Sequence, residues 1–259
     1  MKKLVSDDEI FDLLEKKHLQ YNNTSFIDTD PISIPHLYNI KEDIEIAAFL
    51  TATIAWGQRK SIINNARKLM MLMDNSPYDF LLNAENSDLK NIKTFVHRTF
   101  NGSDCLYFIS SLKNIYKKHK GIEACFVKGL QEFHDMSEAI VFFRNIFFEI
   151  HYSKRVLKHV SNPSANSAAK RINMFLRWMI RKDNFGVDFG IWKQIKPNQL
   201  YCPLDVHSGN VSRKLGLLNR KQNDWKSVDE LTKALRRFDC NDPVKYDFAL
   251  FGLGVFEKF

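Results

Sequence analysis

The sequence predicts a mostly or all-α protein, and three observations support this prediction. Apolar residues recur at helical spacing along most of the chain. The composition combines 21 Phe with only ten Gly and seven Pro, which favours helices with aromatic packing over an all-β fold. The 259 residues show no internal repeat or low-complexity run, and they are enough for one large domain or two small ones.

The first half of the chain is predicted to form helices separated by one non-helical stretch. Residues 7–19 carry a single apolar stripe, whereas residues 41–57 are apolar nearly all round after Glu45 and predict a central buried helix. Residues 21–38 contain two turns at prolines, so we expect a non-helical segment there, with room for a short extended piece. Further helices are predicted at residues 61–73, 76–84 (with Ser76 as cap and Pro77 in the first position), 102–120 and 137–153.

The second half is predicted to contain three longer helices and one short one. Residues 161–170 form a polar turn that leads into a helix over residues 168–182. The core stripe of this helix comprises Ile172, Phe175, Leu176, Met179 and Ile180. A short helix follows Asp205 and is closed by Gly216. The last two helices are predicted at residues 224–238 and 241–256, the latter with Asp242 as cap and Pro243 in the first turn.

The net charge of +8 is concentrated in one region of the chain. Residues 151–220 contain 13 Lys and Arg but only three acidic residues, so the remainder is slightly acidic. A surplus concentrated in this way favours a phosphate-bearing partner, because electrostatics supply most of the non-specific affinity for nucleic acid. A solvated basic face without a partner is the alternative interpretation.

Several classes of protein are disfavoured by what the sequence lacks. No segment comes near the roughly 18 apolar residues that a membrane span needs, and the acidic, amphipathic N-terminal segment is unlike a signal peptide. The eight His and four Cys are dispersed without metal-ligand spacing, and there is no glycine-rich phosphate loop. We therefore expect a cytoplasmic protein with reduced thiols, no membrane association, no metal and no cofactor.

Lys170 is the first candidate for chemistry. It is expected in the first turn of the helix after the polar turn, where the positive end of the helix dipole and the neighbouring Arg171 disfavour a protonated amine. A bias towards the neutral amine is the condition for a lysine nucleophile. A solvated lysine that only tolerates this position is the alternative.

Asp205 is the second candidate. As a helix cap it would accept hydrogen bonds from the backbone N–H groups of His207 and Ser208, which would hold the carboxylate ionised and fixed in direction. A structural cap explains this residue by itself. A fixed anion in a basic region would also stabilise a transient positive charge on a substrate.

An amine and a carboxylate together define a reaction class. The amine attacks the anomeric carbon of a nucleoside, while the carboxylate helps to activate the amine and stabilises oxocarbenium character. The products are a free base and a Schiff base with the sugar, which can undergo β-elimination. In duplex DNA the base must first be flipped out of the stack.

The residues around Asp205 carry a resemblance to a known superfamily. Residues 203–207 (PLDVH), followed by residues 209–217 (GNVSRKLGL), resemble the aspartate motif of helix-hairpin-helix DNA glycosylases. This resemblance implies that Asp205 is the catalytic carboxylate and that His207 corresponds to the histidine of the motif, acting in support of it or on the phosphate side.

The lysine position is similar to that of one branch of this superfamily. Bifunctional members carry the lysine on the second helix of a glycine-containing hairpin, whereas residues 165–173 (ANSAAKRIN) lack those glycines, and Lys170 precedes Asp205 by 35 residues. This arrangement looks more like the archaeal 8-oxoguanine glycosylases, which have a variant hairpin and a longer insert. Residues 170–183, 203–225 and 242–254 resemble a bacterial family of uncharacterised proteins, and this resemblance covers most of the chain.

The resemblance implies a helix-hairpin-helix glycosylase-like fold over residues 1–259, with a cleft between two helical lobes. One lobe would comprise residues 45–160, and the other residues 1–44 together with 161–259. The implied function is base-excision repair of double-stranded DNA, in which Lys170 forms a Schiff base, with β-lyase activity, and a damaged purine such as 8-oxoguanine is removed.

The resemblance and the basic surplus also predict a set of DNA-contacting residues. Residues 50–62 resemble the early helix and loop that supply a wedging side chain, for which Gln58 and Arg59 are candidates. The other predicted contacts are Arg171, Trp178, Lys182, Trp192, His207, Arg213, Lys214 and Arg220. The two tryptophans, with Phe175, are candidates for stacking on a flipped base, although the spacing of Phe175 and Trp178 is typical of core residues.

Two other functions remain open. A non-catalytic DNA- or RNA-binding protein would keep the fold without the chemistry, which the missing hairpin glycines favour. A helical scaffold would present its basic face to a protein partner. The glycosylase assignment requires the amine of Lys170 to lie within several ångströms of the Asp205 carboxylate.

Overall fold

The computed structural model describes residues 6–259, which form a mostly helical protein as predicted. The thirteen α-helices in this range are α1 (Asp7–Tyr21), α2 (Ser25–Thr29), α3 (Lys41–Thr53), α4 (Arg59–Met71), α5 (Pro77–Asn83), α6 (Asn86–Ile92), α7 (Gly102–His119), α8 (Ile122–Phe133), α9 (Met136–Phe147), α10 (Lys170–Ile180), α11 (Val206–Lys214), α12 (Trp225–Arg236) and α13 (Asp247–Val255). Short 3₁₀ helices lie between them at Pro31–Ser33, Pro35–Leu37, Lys154–His159, Pro163–Ala165, Pro197–Gln199 and Pro243–Tyr246. The described sheet is one antiparallel hairpin of β1 (Val96–His97) and β2 (Phe100–Asn101).

The chain divides into two compact units. The first contains residues up to Phe26 together with Ala165–Phe259, and the second is the intervening segment Ile27–Ser164. The aspartate motif and the segment that carries Lys170 both belong to the first unit. Across residues 6–259, none of the helices combines the length and the apolar character that a bilayer span requires.

Helix α3 lies at the centre of the second unit, as its sequence predicts. Every residue from Asp43 to Thr53 is buried. The ring of Phe49 packs against Phe108, Phe143 and Phe147 with centroid separations of 5.6–5.9 Å. A fully buried Phe stabilises the folded state by about 1.5–3 kcal/mol through its apolar area, so this cluster contributes strongly to the core of the second unit.

Residues 21–38 are mostly helical, and the prediction of a non-helical stretch is wrong. They contain α2 and two 3₁₀ helices in place of an extended piece. Pro31 and Pro35 each occupy the first position of a 3₁₀ helix, where a missing N–H costs no hydrogen bond. The carboxylate of Asp30 accepts a hydrogen bond from the N–H of Ile32 at 3.1 Å. The prolines therefore begin helical turns here.

In the first unit, α13 packs against both α1 and α11. Two glycines on α13 permit this close approach. A Cβ at Gly252 would lie 2.0 Å from the Tyr21 ring, and a Cβ at Gly254 would lie 3.0 Å from the Cβ of His207. Helix α13 is therefore pressed against the beginning of α11, which Asp205 precedes.

The start of α13 differs from the prediction that Asp242 caps it. The 3₁₀ turn Pro243–Tyr246 intervenes, and the side chain of Asp242 makes no capping hydrogen bond. Its Oδ2 instead accepts a hydrogen bond from Arg181 Nε at 2.8 Å. An ion pair with a residue distant in sequence replaces the local cap.

Candidate functional site

Asp205 is the N-cap of α11, as predicted. Its Oδ1 accepts hydrogen bonds from the N–H groups of His207 at 2.8 Å and Ser208 at 3.1 Å, and the Ser208 hydroxyl accepts one from the N–H of Asp205 at 2.9 Å. Residues 201–204 are buried, which fixes the chain as it enters the cap. Gly216 follows the helix in a left-handed conformation with φ 74°. One carboxylate oxygen is thus committed to the helix.

The second carboxylate oxygen of Asp205 faces Lys170. The Nζ of Lys170 lies 3.6 Å from Asp205 Oδ2, and the exposed fractions of the two side chains are 29% and 27%. Lys170 is the first residue of α10, as expected. The predicted proximity is confirmed, and both groups retain access to solvent. Their chemical roles stay predictions.

The electrostatic environment keeps Asp205 ionised. Burial alone would raise the pKa of this carboxyl. The charge of Lys170 and the N–H groups of Ser208 and His207 outweigh burial, so the pKa lies below its ordinary value. At neutral pH the carboxylate is therefore a fixed negative charge beside the lysine.

The turn that precedes Lys170 lacks the glycines of the superfamily's hairpin, but two of its other residues adopt the left-handed conformation. Asn166 has φ 61° and Ala169 has φ 47°. Ser167 forms a β-bridge with Asp224, whose Oδ2 also accepts a hydrogen bond from Asn166 Nδ2 at 3.1 Å. The N–H of Ala169 donates to Ser167 Oγ at 3.3 Å, and the left-handed conformation of Ala169 costs roughly 1–2 kcal/mol for a residue with a side chain.

Helix α10 carries a polar stripe beyond Lys170 that the sequence analysis missed. Lys170, Asn173, Arg177 and Arg181 follow at helical spacing, and the last three are buried. The Nε of Arg177 donates to Asp188 Oδ1 at 3.2 Å, and Arg177 Nη1 donates to Asp247 Oδ2. The stripe thus leads from the exposed lysine into a buried ionic cluster.

Asp247 is the second residue that sequence reasoning missed. It is the first residue of α13 and is 7% exposed. Burial is the largest influence on its pKa, which rises to about 6 even though Arg177 and Lys170 act in the opposite direction. The charge of Asp205 raises it further. The available signal was an acidic residue at the beginning of an otherwise apolar helix.

The predicted stacking residues lie in the protein core. Trp178, Trp192 and Phe175 are 0%, 1% and 0% exposed, and the rings of Phe175 and Trp192 meet edge to face at 5.5 Å. Nearly every residue of α10 is buried, so its core surface is wider than the predicted stripe. The prediction that these side chains stack on a flipped base is therefore corrected: all three are core residues.

Two of the predicted phosphate contacts are engaged within the protein. Arg213 donates from Nε to the Arg220 carbonyl at 2.8 Å and from Nη2 to Asn223 Oδ1 at 2.6 Å. Arg220 forms an ion pair with Asp224. Both guanidinium groups brace the segment between α11 and α12, which leaves less of their hydrogen-bonding capacity for phosphates.

The remaining predicted contacts have different surroundings. Lys182, His207 and Lys214 are exposed, and Lys214 Nζ lies 5.6 Å from the centre of the Phe259 ring. Burial lowers the pKa of Arg171 to about 10. Gln58 and Arg59 belong to the second unit, at the beginning of α4.

The thiol and imidazole groups do not assemble into a metal centre in the part of the chain that the structure describes. Residues 6–259 contain no group of three or more His, Cys, Asp or Glu side chains arranged to hold an ion. Cys202, three residues before Asp205, is fully buried, and burial raises the pKa of its thiol. It is therefore a neutral core residue beside the site.

Comparison with known proteins places the chain in a family but assigns no activity. No curated protein and no solved structure matches it. A family model described as "Protein of unknown function (DUF2400)" matches residues 30–256, a range that contains Lys170, Arg177, Asp205 and Asp247. The chain therefore belongs to the DUF2400 family, as its resemblance to an uncharacterised family predicted.

Proposed function

We propose that this protein is a DNA glycosylase with β-lyase activity that removes a damaged, 8-oxoguanine-like purine through a Schiff base on Lys170. The observation that carries the proposal is the 3.6 Å separation between Lys170 Nζ and Asp205 Oδ2, with both side chains partly exposed. A helix-hairpin-helix glycosylase fold is part of the same proposal. The aspartate motif and the left-handed turn before Lys170 support it.

The chemistry begins with nucleophilic attack by the neutral amine of Lys170. A bond forms between Nζ and C1′ of the deoxyribose, and the bond from C1′ to the purine breaks with its electron pair, so the base leaves and takes up a proton. The bound amine loses a proton, and the bond from C1′ to O4′ then breaks with its electron pair on O4′, which takes up a proton, so that the sugar ring opens to give the Schiff base. Loss of a proton from C2′ then expels the 3′ phosphate by β-elimination, and water releases the lysine.

Asp205 has the geometry to stabilise the positive charge that develops at the sugar. Its Oδ1 is held by two backbone N–H groups, so the carboxylate needs no reorientation during the reaction. Its Oδ2 points to the lysine. A preorganised charge of this kind lowers the barrier more than a mobile one, because no reorganisation is needed in the transition state.

The charge distribution supports a DNA substrate. Thirteen Lys and Arg with three acids lie between residues 151 and 220, the segment that contains both Lys170 and Asp205. Phosphate contacts position a duplex without reading its sequence, so a lesion would be recognised through the flipped base. The exposed Lys182 and Lys214 are suited to such contacts.

The proposal is tested by borohydride trapping on duplexes that contain 8-oxoguanine or an abasic site. A covalent protein–DNA adduct is expected with the wild-type chain and not with Lys170→Gln. Lys226→Gln is the matched control, because it removes a positive charge from an exposed position on α12 and should retain the adduct. Release of the free base should accompany trapping on the 8-oxoguanine duplex.

Two results would contradict the proposal. One is an undiminished adduct in Lys170→Gln, which would place the nucleophile elsewhere. The other is the absence of both adduct and base release on every damaged duplex. If DNA or RNA binding with a steep salt dependence persisted in that case, the protein would be a non-catalytic nucleic-acid-binding protein. A shallow salt dependence would point instead to a protein partner.

A further inference from the structure

Asp247 is a buried carboxylate beside the proposed site that the mechanism above does not use. It is 7% exposed and belongs to the first turn of α13. The charges of Lys170 and Asp205 both act on it, so the three groups form one electrostatic cluster. A buried acid that is costly to ionise calls for an explanation, because burial penalises the charged form.

Two contacts place Asp247 on the side of the first unit that carries Lys170, although the ion pair that Lys170 itself forms is with Asp205. Arg177 follows Lys170 by seven residues, two turns along the same face of α10, and its Nη1 donates to Asp247 Oδ2. On α13, Gly254 follows Asp247 by seven residues on one face and meets His207 of α11. The face of α13 that carries Asp247 is therefore directed towards the beginning of α11, where Asp205 meets Lys170.

The two carboxylates have opposite environments. Asp205 is a helix cap with two N–H donors, an ion pair with Lys170 and an exposed fraction of 27%. Asp247 is enclosed and held by Arg177. Pairs of acids whose surroundings differ in this way commonly divide their roles, with one remaining ionised while the other exchanges a proton.

We propose that Asp247 is the proton acceptor for Lys170, whereas Asp205 remains ionised and stabilises the charge at the sugar. This inference rests on the proposed function. The N–H bond of the Lys170 ammonium breaks, its electron pair stays on Nζ, and the proton moves to a carboxylate oxygen of Asp247. The flexible four-carbon chain of lysine allows the amine to approach Asp247 before it turns to the substrate.

The raised pKa of Asp247, about 6, suits this role, because an acceptor works best when its pKa is near the working pH. The groups that act on Asp247 are Arg177 and Lys170 of α10 and Asp205 at the cap of α11, and Cys202 is also within electrostatic range. Behind Arg177 lies Asp188, which shares its guanidinium. His207, which meets α13 at Gly254, carries the imidazole that the titration must be controlled for.

The first test measures the coupling between the two groups without a substrate. The pKa of the Asp247 carboxyl group is obtained from the chemical shift of its carboxyl carbon in an NMR titration of wild type, Lys170→Gln and Lys226→Gln. It should be higher in Lys170→Gln, since the lysine charge lowers it, and unchanged in Lys226→Gln. An identical pKa in wild type and Lys170→Gln would overturn the inference.

The second test measures the single-turnover rate of borohydride trapping on an abasic duplex between pH 5 and 8. The wild-type rate should rise with pH through a midpoint near 6, because protonated Asp247 cannot accept a proton. In Asp247→Asn, which keeps a polar partner for Arg177, the rate at pH 7 should fall about 100-fold and the midpoint should disappear. In Asp247→Glu the trapping rate should again show a midpoint in its pH dependence. In His207→Gln the midpoint should stay near 6, even if the trapping rate itself changes.

The outcomes separate the two proposals. An adduct that forms in Asp247→Asn at the wild-type rate with the wild-type midpoint overturns the role of Asp247 and leaves the glycosylase proposal standing. A midpoint that disappears in His207→Gln assigns the pH dependence of the trapping rate to His207 and also overturns the role of Asp247. Failure of every damaged or abasic duplex to give an adduct overturns both proposals. If Asp247→Asn does not fold, the NMR titration and Asp247→Glu decide the question.

Discussion

The two ends of helix α10 carry ionic groups of opposite character. At the beginning, Lys170 meets a single carboxylate at 3.6 Å, and both side chains are more than a quarter exposed. Towards the end, the side chains of Arg177 and Arg181 are 5% and 2% exposed. They share four carboxylates, those of Asp183, Asp188, Asp242 and Asp247.

This difference indicates which charges are free to react. A partly exposed ion pair is worth little in stability, because solvent competes for both partners, so it can be broken during a reaction at low cost. A buried cluster cannot lose a member without leaving an uncompensated charge in the interior. The pairs around Arg181 at the end of α10 therefore fix the helix, and its beginning is available for chemistry. Asp247, which Arg177 holds between the two, is the one carboxylate of the cluster to which we assign proton exchange.

The largest effect should come from breaking the buried cluster. Arg181→Met removes the guanidinium that Asp183, Asp188 and Asp242 share, and Asp188 keeps only Arg177 as a charged partner. We expect the free energy of unfolding to fall by about 3–5 kcal/mol. Lys170→Met, the matched change at the other end of α10, should cost about 1 kcal/mol or less. Denaturant unfolding of both variants measures the contrast. Equal losses would show that the two ends do not differ in the way described.

Two substitutions of Asp205 separate its role as a helix cap from its proposed chemical role. Asp205→Ala removes the cap and should lower the free energy of unfolding by about 1 kcal/mol, whereas Asp205→Asn retains a good cap and should change it little. Both variants should lose trapping activity, because both lack the negative charge. An active Asp205→Asn would reduce the residue to a structural cap.

The Asp205 pair also has a defined pH dependence. The pKa of the Asp205 carboxyl is lower in the folded protein than its ordinary value, so its stabilising contribution is present above about pH 4 and is lost as the pH falls through the folded-state pKa. The stability difference between wild type and Asp205→Ala, about 1 kcal/mol at neutral pH, should therefore shrink in acid. A difference that grew on acidification would contradict this sign.

A smaller effect is expected at the turn before Lys170. Ala169→Gly relieves a left-handed backbone with φ 47° and should raise the free energy of unfolding by about 0.5–1 kcal/mol. The neighbouring Ala168→Gly, at a position without a positive φ, should lower it. Thermal unfolding of the two variants gives the comparison, and a loss of stability in Ala169→Gly would argue against strain at this turn.

The smallest effect concerns salt dependence. Lys182 is exposed, so Lys182→Gln should reduce the slope of log affinity for DNA against log salt by about one. Arg220 is paired with Asp224, and Arg220→Gln should change this slope less. Fluorescence anisotropy across a salt series distinguishes the two variants. An equal change in both slopes would indicate that Arg220 leaves Asp224 to meet a phosphate.

The parts of the site that the sequence predicted are those set by short-range interactions. The cap at Asp205 depends on residues two and three positions later, and Gly216 ends the same helix. The proximity of Lys170 and Asp205 was available only through the resemblance of their motifs. Nothing in the spacing of 35 residues fixes a distance.

The missed or mistaken features depend on partners distant in sequence. Asp242 is a plausible cap until Arg181, 61 residues away, competes for its carboxylate. Asp247 gains its raised pKa from burial and from groups on other helices, which local pattern does not contain. Trp178 was ambiguous because one apolar stripe does not reveal that a helix is enclosed on nearly all sides.

The first unit is built from two segments of the chain that are far apart in sequence, and this affects when the candidate site can form during folding. The first unit joins residues that precede the second unit to residues that follow it, and α1 packs against α13. Closing this long loop costs entropy, which is smaller when the intervening segment has already folded. A substitution that slows the folding of the second unit would therefore delay assembly of Lys170, Asp205 and Asp247 through chain connectivity alone.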